Sequence, residues 1–201
     1  MIGVVGETGL KGPGDCTSCR PGKYIGGSAA LQDGTMGVTC QECNGGMYQN
    51  ERGATLCKTC QKGFYREEVG YAFCVQCELG RYMMSTQAMA CLRCPSGRYG
   101  DERGLECAAF CELLTCKACG KGKYLLLDGE VSADSCLDCQ SGKYSDIDGL
   151  ATNTCKACGK GKYNAMLGSA STTQCLLCDL GKYSDVKGVI SSGAWYVFSQ
   201  F

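Results

Sequence analysis

The sequence predicts small disulfide-rich tandem repeats, and three observations carry that prediction. Cysteine supplies 20 of the 201 residues. Leu, Ile, Val and Phe together supply only 35, too few large apolar side chains for the core of one globular domain of this length. The cysteines also recur in a single motif. A low aliphatic content by itself points to disorder, but disorder favours high net charge, and here 20 basic and 20 acidic residues cancel. Covalent bridges in place of a core are the solution that fits all three.

Nine C-x-x-C pairs run along the chain: 16/19, 40/43, 57/60, 74/77, 91/94, 116/119, 136/139, 155/158 and 175/178. Each continues as C-x-x-C-x-x-G-x-Y, from CTSCRPGKY to CLLCDLGKY, and nine of the eleven tyrosines sit at that one position. Cys107 and Cys111 form an irregular pair with one extra residue between them. From Cys19 to Cys107 the stretches separating successive pairs hold 20, 13, 13, 13 and 12 residues, and from Cys119 to Cys175 they hold 16, 15 and 16. Most carry a second glycine in a polar arc, as in QNERGATLC and SDIDGLATNTC.

Each part of the motif has a physical task. The motif glycine, as in Gly22 or Gly122, is expected to take a positive φ just after the bridge, and the arc glycine to serve the returning turn. Tyrosine is the only large side chain in every repeat, so it is expected to pack on a disulfide as each module's miniature core; the competing role is an exposed ligand contact. The residue between glycine and tyrosine is basic in seven of nine repeats: Lys23, Arg81, Arg98, Lys123, Lys143, Lys162 and Lys182. Stacked repeats would align these on one face. Pairing with acids of the adjacent arcs, such as Asp146, Asp148 and Asp185, is favoured over an acidic-polysaccharide site.

Three chemistries use C-x-x-C. A thioredoxin-like redox centre needs one reactive pair in a βαβ setting, which this chain does not have. Zinc ribbons use two knuckles at spacings that several gaps satisfy. Nine regular pairs, however, do not divide into four-cysteine sites, and the chain has no histidine. Disulfides are the expectation; no metal and no cofactor are expected.

The repeat C-x-x-C-x-x-G-x-Y, an acidic arc with glycine, then cysteine, resembles the ephrin-receptor-like cysteine-rich repeat, a relative of tumour-necrosis-factor-receptor and EGF-like modules. The resemblance runs from Cys16 to about Gly188. It implies an elongated rod of short β-hairpins and loops with little helix, and an extracellular or cell-surface (secreted) location. The irregular pair Cys107/Cys111, the long first gap and a proline after the second cysteine only at Pro95 depart from the family pattern.

The same resemblance implies that the cysteine before x-x-G-x-Y bonds the first cysteine of the next pair. The bridges would then be Cys19–Cys40, Cys43–Cys57, Cys60–Cys74, Cys77–Cys91, Cys94–Cys107, Cys119–Cys136, Cys139–Cys155 and Cys158–Cys175, with Cys111–Cys116 closing the joint. A bridge closing such a loop contributes roughly 3 kcal/mol in the loop-entropy picture. The alternative pairs first cysteines with first and second with second. In the implied ladder Cys16 and Cys178 stay open for intermolecular bonds or for neighbouring repeats of a longer chain.

The expected organisation is a Gly-rich leader over 1–15, an N-terminal array over 16–106, an irregular joint over 107–119, a C-terminal array over 120–188 and a non-repeat tail over 189–201. The leader includes four collagen-like triplets, too few for a triple helix, and lacks the features of a signal peptide; for an exported protein the signal is expected to lie upstream of this segment or to have been removed. Phe110, Leu113 and Leu114 in the joint and Trp195 in the tail are the candidate contact residues.

Several functions are excluded. Without histidine there is no Ser-His-Asp or Cys-His machinery, and no P-loop or calcium-loop pattern appears; the chain reads as a non-enzyme. Zero net charge disfavours nucleic acid, and no apolar stretch is long enough to span a bilayer. The expected function is an extracellular structural or adhesive rod, part of a larger surface or filament-forming protein, with other protein chains or copies of itself as partners. The alternative is a ligand-binding segment of a receptor ectodomain.

Overall fold

The computed structural model describes residues 4–5, 17–30, 36–106 and 115–193. Cys16, Cys107, Phe110, Cys111, Leu113, Leu114 and Trp195 lie outside these residues, as do most of the leader and the end of the tail. Among the described residues there is no α-helix, only two single-turn 3-10 segments, Ala133–Ser135 and Thr172–Gln174. Small disulfide-rich repeats built on short β-hairpins make up the fold.

The motif dictates the hairpin. Its residues x-x-G-x close a tight turn in which the residue after glycine donates its N–H back to the carbonyl three positions earlier, as from Lys123 to Gly120 and from Phe64 to Gln61. Such a turn needs positive φ at its third residue, and all nine motif glycines have it, between +69° and +87°. The x-Tyr pair then enters a short strand that pairs antiparallel with the two residues enclosed by the next C-x-x-C. Met47–Tyr48 pairs with Lys58–Thr59, Phe64–Tyr65 with Val75–Gln76, and Lys143–Tyr144 with Lys156–Ala157. In the first repeat the longer gap forms an extended hairpin, Lys23–Ala30 against Met36–Glu42, with a bulge between Gly26 and Ser28.

Eight disulfides follow this pairing: Cys19–Cys40, Cys43–Cys57, Cys60–Cys74, Cys77–Cys91, Cys94–Cys116, Cys119–Cys136, Cys139–Cys155 and Cys158–Cys175. One departs from the expected set and corrects it. Cys94 is bonded to Cys116, not to Cys107, so Cys116 is not available to close a joint with Cys111. The reason is register. Arg98–Tyr99 pairs with Lys117–Ala118, the two residues that Cys116 and Cys119 enclose. The pair Cys107/Cys111 encloses three residues and lacks the x-x-G-x-Y continuation. In the bridge pattern the regular series passes directly from Cys91/Cys94 to Cys116/Cys119.

Backbone hydrogen bonds tie each repeat to the next. The motif glycine N–H donates to the carbonyl just after the following tyrosine, from Gly22 to Gln49 at 2.6 Å and from Gly122 to Ser145 at 2.8 Å. Its own carbonyl accepts from the second cysteine of the next pair, as Gly46 does from Cys60 at 2.8 Å. The carbonyl of that second cysteine then accepts from the following arc: Cys19 from Gly53, Cys43 from Gly70, Cys60 from Gln87, Cys77 from Gly104, Cys94 from Gly129, Cys119 from Gly149, Cys139 from Gly168 and Cys158 from Gly188. Repetition of that bond along the described chain satisfies the polar backbone that loop-rich structure would otherwise leave unpaired.

The core is mostly sulfur. Cys19, Cys43, Cys60, Cys77, Cys94, Cys119, Cys139 and Cys158 are all at most 1% exposed. In two repeats tyrosine packs on a disulfide, as expected, but on the following repeat's. Tyr65 lies against Cys77, Met83, Ala88 and Cys91, and Tyr99 against Cys119, Leu125 and Cys136. The side chain that completes one module therefore comes from the module before it.

The chain divides into two compact units, 1–92 with 103–115, and 93–102 with 116–201. The first holds the long hairpin and the repeats closed by Cys57, Cys74 and Cys91. The second holds the Cys94–Cys116 bridge and the three repeats that follow it.

Candidate protein-interaction surface

The stacking of tyrosine on the next disulfide leaves a cleft at the repeat junction. In the first unit one cleft of about 240 Å³ is lined by Tyr48, Gln61, Phe64, Phe73 and Cys74. A second, of about 260 Å³, is lined by Tyr65, Glu67, Glu78, Arg81, Ala90 and Cys91. The two are the same site one repeat apart: the preceding tyrosine, the residue after the second cysteine, the residue between glycine and tyrosine, and the closing cysteine with the residue before it. Only the lining chemistry differs, aromatic in the first and charged in the second.

Two exposed apolar side chains at this surface sit on clamped backbone. Leu56 is 74% and Phe73 63% exposed, and each immediately precedes a bonded cysteine. The carbonyl of Leu56 accepts from Gln49 Nε2 at 2.6 Å. The carbonyl of Phe73 accepts from Arg66 Nε at 2.9 Å and Nη2 at 2.6 Å. Gln49 and Arg66 occupy equivalent positions, each directly after its motif tyrosine. The Arg66 guanidinium also lies 4.2 Å over the Tyr71 ring, a cation–π contact. A hydrogen bond with Glu68 raises the Tyr71 hydroxyl above its ordinary value, partly opposed by Arg66.

Charged side chains form two rows of cross-strand pairs. Lys23 meets Glu42 at 3.5 Å and Lys123 meets Asp138 at 2.8 Å, each joining the Gly-x-Tyr lysine to the next cysteine pair. The other row runs from a lysine inside a cysteine pair back to the preceding arc: Lys58 to Glu51, Lys117 to Asp101 and Glu102, and Lys156 to Asp146. Asp146 is therefore the partner of a lysine between cysteines rather than of a Gly-x-Tyr lysine. The Lys156 hydrogen bond holds the Asp146 carboxyl below its usual value, and the Asp146 carboxylate raises the Lys156 amine. Arg81 and Arg98 instead donate Nη1 to the carbonyls of Cys91 and Cys116 at 3.1 and 2.9 Å.

Residues 63–111 match a family model described as tyrosine-protein kinase ephrin type A/B receptor-like. This segment is similar to an ephrin-receptor-like cysteine-rich module. The match covers a minority of the chain, and it includes the charged cleft together with Phe64 and Phe73 of the aromatic one. Outside the matched segment the same turn recurs, with bridges at Cys19–Cys40, Cys43–Cys57, Cys119–Cys136, Cys139–Cys155 and Cys158–Cys175. No curated protein matches the sequence.

The ephrin-receptor-like segment also contains Cys107, Phe110 and Cys111, which lie outside the described residues, as do Leu113, Leu114, Trp195 and Cys16. Of the expected open cysteines only Cys178 is described; it is a free, half-buried thiol whose N–H donates to the Gly161 carbonyl. Among the described residues no cluster of His, Cys, Asp and Glu is placed to hold a metal ion, and no helix is long and apolar enough to cross a membrane. Leu56 and Phe73 were missed from the sequence because isolated exposed apolar residues are common. The available signal was Met47 and Phe64, the two interruptions of the basic Gly-x-Tyr row, which fall in consecutive repeats.

Proposed function

We propose that this chain is an extracellular protein-interaction element with a structural or adhesive role, contributing a covalently stapled spacer to a larger surface or filament-forming protein. The observation that carries the reading is the series of eight bridges from Cys19 to Cys175, with backbone bonds that join repeats within each unit. Such a series needs an oxidising compartment to form and persist. It resists local opening because each bridge closes one repeat and, within each unit, backbone bonds join repeats at several points. A ligand-binding receptor segment is the second reading, favoured by the exposed side chains of Leu56 and Phe73 on their clamped backbone.

The test is made on intact source cells. An antibody to the folded chain should label unpermeabilised cells, and its antigen should be imaged within a coat, filament or matrix from which reducing agent releases it. Labelling confined to the permeabilised interior, with cysteines that alkylate without prior reduction, would contradict the extracellular placement. Isolated surface spots that co-purify with one soluble ligand would favour the receptor segment.

A further inference from the structure

We propose that Met47, Leu56, Phe64 and Phe73 form a two-slot docking site for an extended protein segment that presents two apolar side chains followed by a lysine or arginine. This rests on the protein-interaction reading above and gives the partner its chemistry.

The first support is positional. Met47 and Phe64 are the only non-basic residues at the nine Gly-x-Tyr positions. At the position before the closing cysteine the same two repeats carry Leu56 and Phe73. The others carry Thr39, Ala90, Thr115, Ser135, Thr154 and Gln174. Because these two positions line one cleft at the junction where they are seen together, the substitutions convert two consecutive junctions, and no others, from polar to apolar. Independent surface drift would not place both changes in the same pair of repeats.

The second support is rigidity. Gln49 and Arg66 clamp the carbonyls of Leu56 and Phe73, and the next residue of each is fixed by a disulfide. A pre-organised backbone lowers the ordering cost of binding at these two positions. Tyr48 and Phe64 supply the aromatic walls of the second slot, and Gln61 supplies an amide able to pair with a partner's backbone.

The third support is charge complementarity, and it selects the occupant. One repeat after the aromatic slot, the equivalent cleft brings two carboxylates, Glu67 and Glu78, to one guanidinium, Arg81. Arg81 already donates to the Cys91 carbonyl. The net negative cleft favours a cationic side chain at that step. A segment with a basic residue after its second apolar one fits the whole run, whereas an acidic glycan or an anionic lipid surface meets repulsion there.

The experiment is a selection of short random peptides on the intact, oxidised chain. Enriched peptides are then titrated against Phe73→Ser, Leu56→Ser, Glu78→Gln and, as a control in the other unit, Leu127→Ser. Leu56 and Phe73 are exposed, so an unchanged disulfide map verifies the fold, and either substitution suffices if the other misfolds. Peptides with paired apolar residues and an adjacent base should be enriched. Their affinity should fall about tenfold or more with either slot substitution and by a smaller factor with Glu78→Gln, and should not change with Leu127→Ser. Peptides that bind with no dependence on Phe73 or Leu56 would overturn the site while leaving the protein-interaction reading standing. Concentration-dependent dimerisation abolished by Phe73→Ser would assign the slots to a second copy and overturn the partner proposed. Failure to enrich any peptide, with no self-association, would count against both readings.

Discussion

The backbone of Gly122 lies against the carbonyl of Gly168, two repeats further along the chain, and a β-carbon on Gly122 would overlap that carbonyl. Gly22 and Gly70, and Gly142 and Gly188, are related in the same way. The motif glycine therefore answers to two requirements at once, the positive φ of its own turn and the close approach of a distant arc. Gly122→Ala is expected to destabilise the fold by about 2 kcal/mol or more, combining left-handed strain with a backbone clash. Thermal melts and the yield of oxidative refolding measure it; a change indistinguishable from zero would mean that the two-repeat contact does not form.

The arc position supplies a converse test. Gln87 has φ +59°, and its N–H donates to the Cys60 carbonyl where the seven equivalent arcs use glycine. Gln87→Gly should remove the left-handed strain and stabilise the chain by up to about 1 kcal/mol, less the added freedom of the unfolded chain. Chemical denaturation compared with the parent reads the sign. Destabilisation would show that the Gln87 side chain contributes more than its backbone strain costs.

Much of this was legible in the sequence, because the motif is a chain of local requirements. C-x-x-C encloses two residues, x-x-G-x closes a turn, and the tyrosine follows at a fixed distance, so hairpins, positive-φ glycines and sulfur core are all written at short range. What the sequence hid was relational. The packing of Tyr65 on the Cys77–Cys91 repeat, rather than on its own, depends on how modules stack. The Cys94–Cys116 bridge depends on which later pair offers a strand of the right length, and spacing alone made Cys107 the nearer choice. Leu56 and Phe73 differ from ordinary exposed residues only through the side chains of Gln49 and Arg66, which clamp them from the preceding arc.

A buried polar group in the second unit is predicted to matter more than any surface pair. Asn164 is 1% and Ser169 0% exposed. Asn164 Nδ2 donates to Ser169 Oγ at 2.6 Å, and its Oδ1 accepts from the Met166 N–H at 3.0 Å. Asn164→Ala leaves the buried Ser169 hydroxyl without its donor and the Met166 N–H without its acceptor, and is expected to cost about 2 kcal/mol. Hydrogen exchange at Met166 and its neighbours should accelerate; unchanged protection there would contradict the assignment.

The pH dependence follows from the lysine–carboxylate pairs. Lys156 lowers the pKa of Asp146, so that contribution is present above the ordinary carboxylate range and is lost as pH falls through the lowered folded value. Asp146 raises the pKa of Lys156, so its contribution is present below the ordinary lysine range and is lost as pH rises through the raised value. Asp101 and Lys117 behave alike. Stability should be flat through neutral pH and decline at both extremes, and Asp146→Asn should shallow both limbs at low salt. Melting curves across pH decide it; limbs unchanged by Asp146→Asn would mean the pair is not formed in solution.

The disulfide map tests the central claim, a bridge series that passes from Cys77–Cys91 to Cys94–Cys116, most directly. Digestion of the unreduced protein with trypsin and a glutamate-specific protease separates Cys94 (CPSGR), the Cys107 and Cys111 segment (CAAFCE) and Cys116 (LLTCK). The series predicts CPSGR linked to LLTCK, with Cys43 linked to Cys57 elsewhere in the map. CPSGR linked to CAAFCE, or Cys57 linked to Cys74, would contradict it.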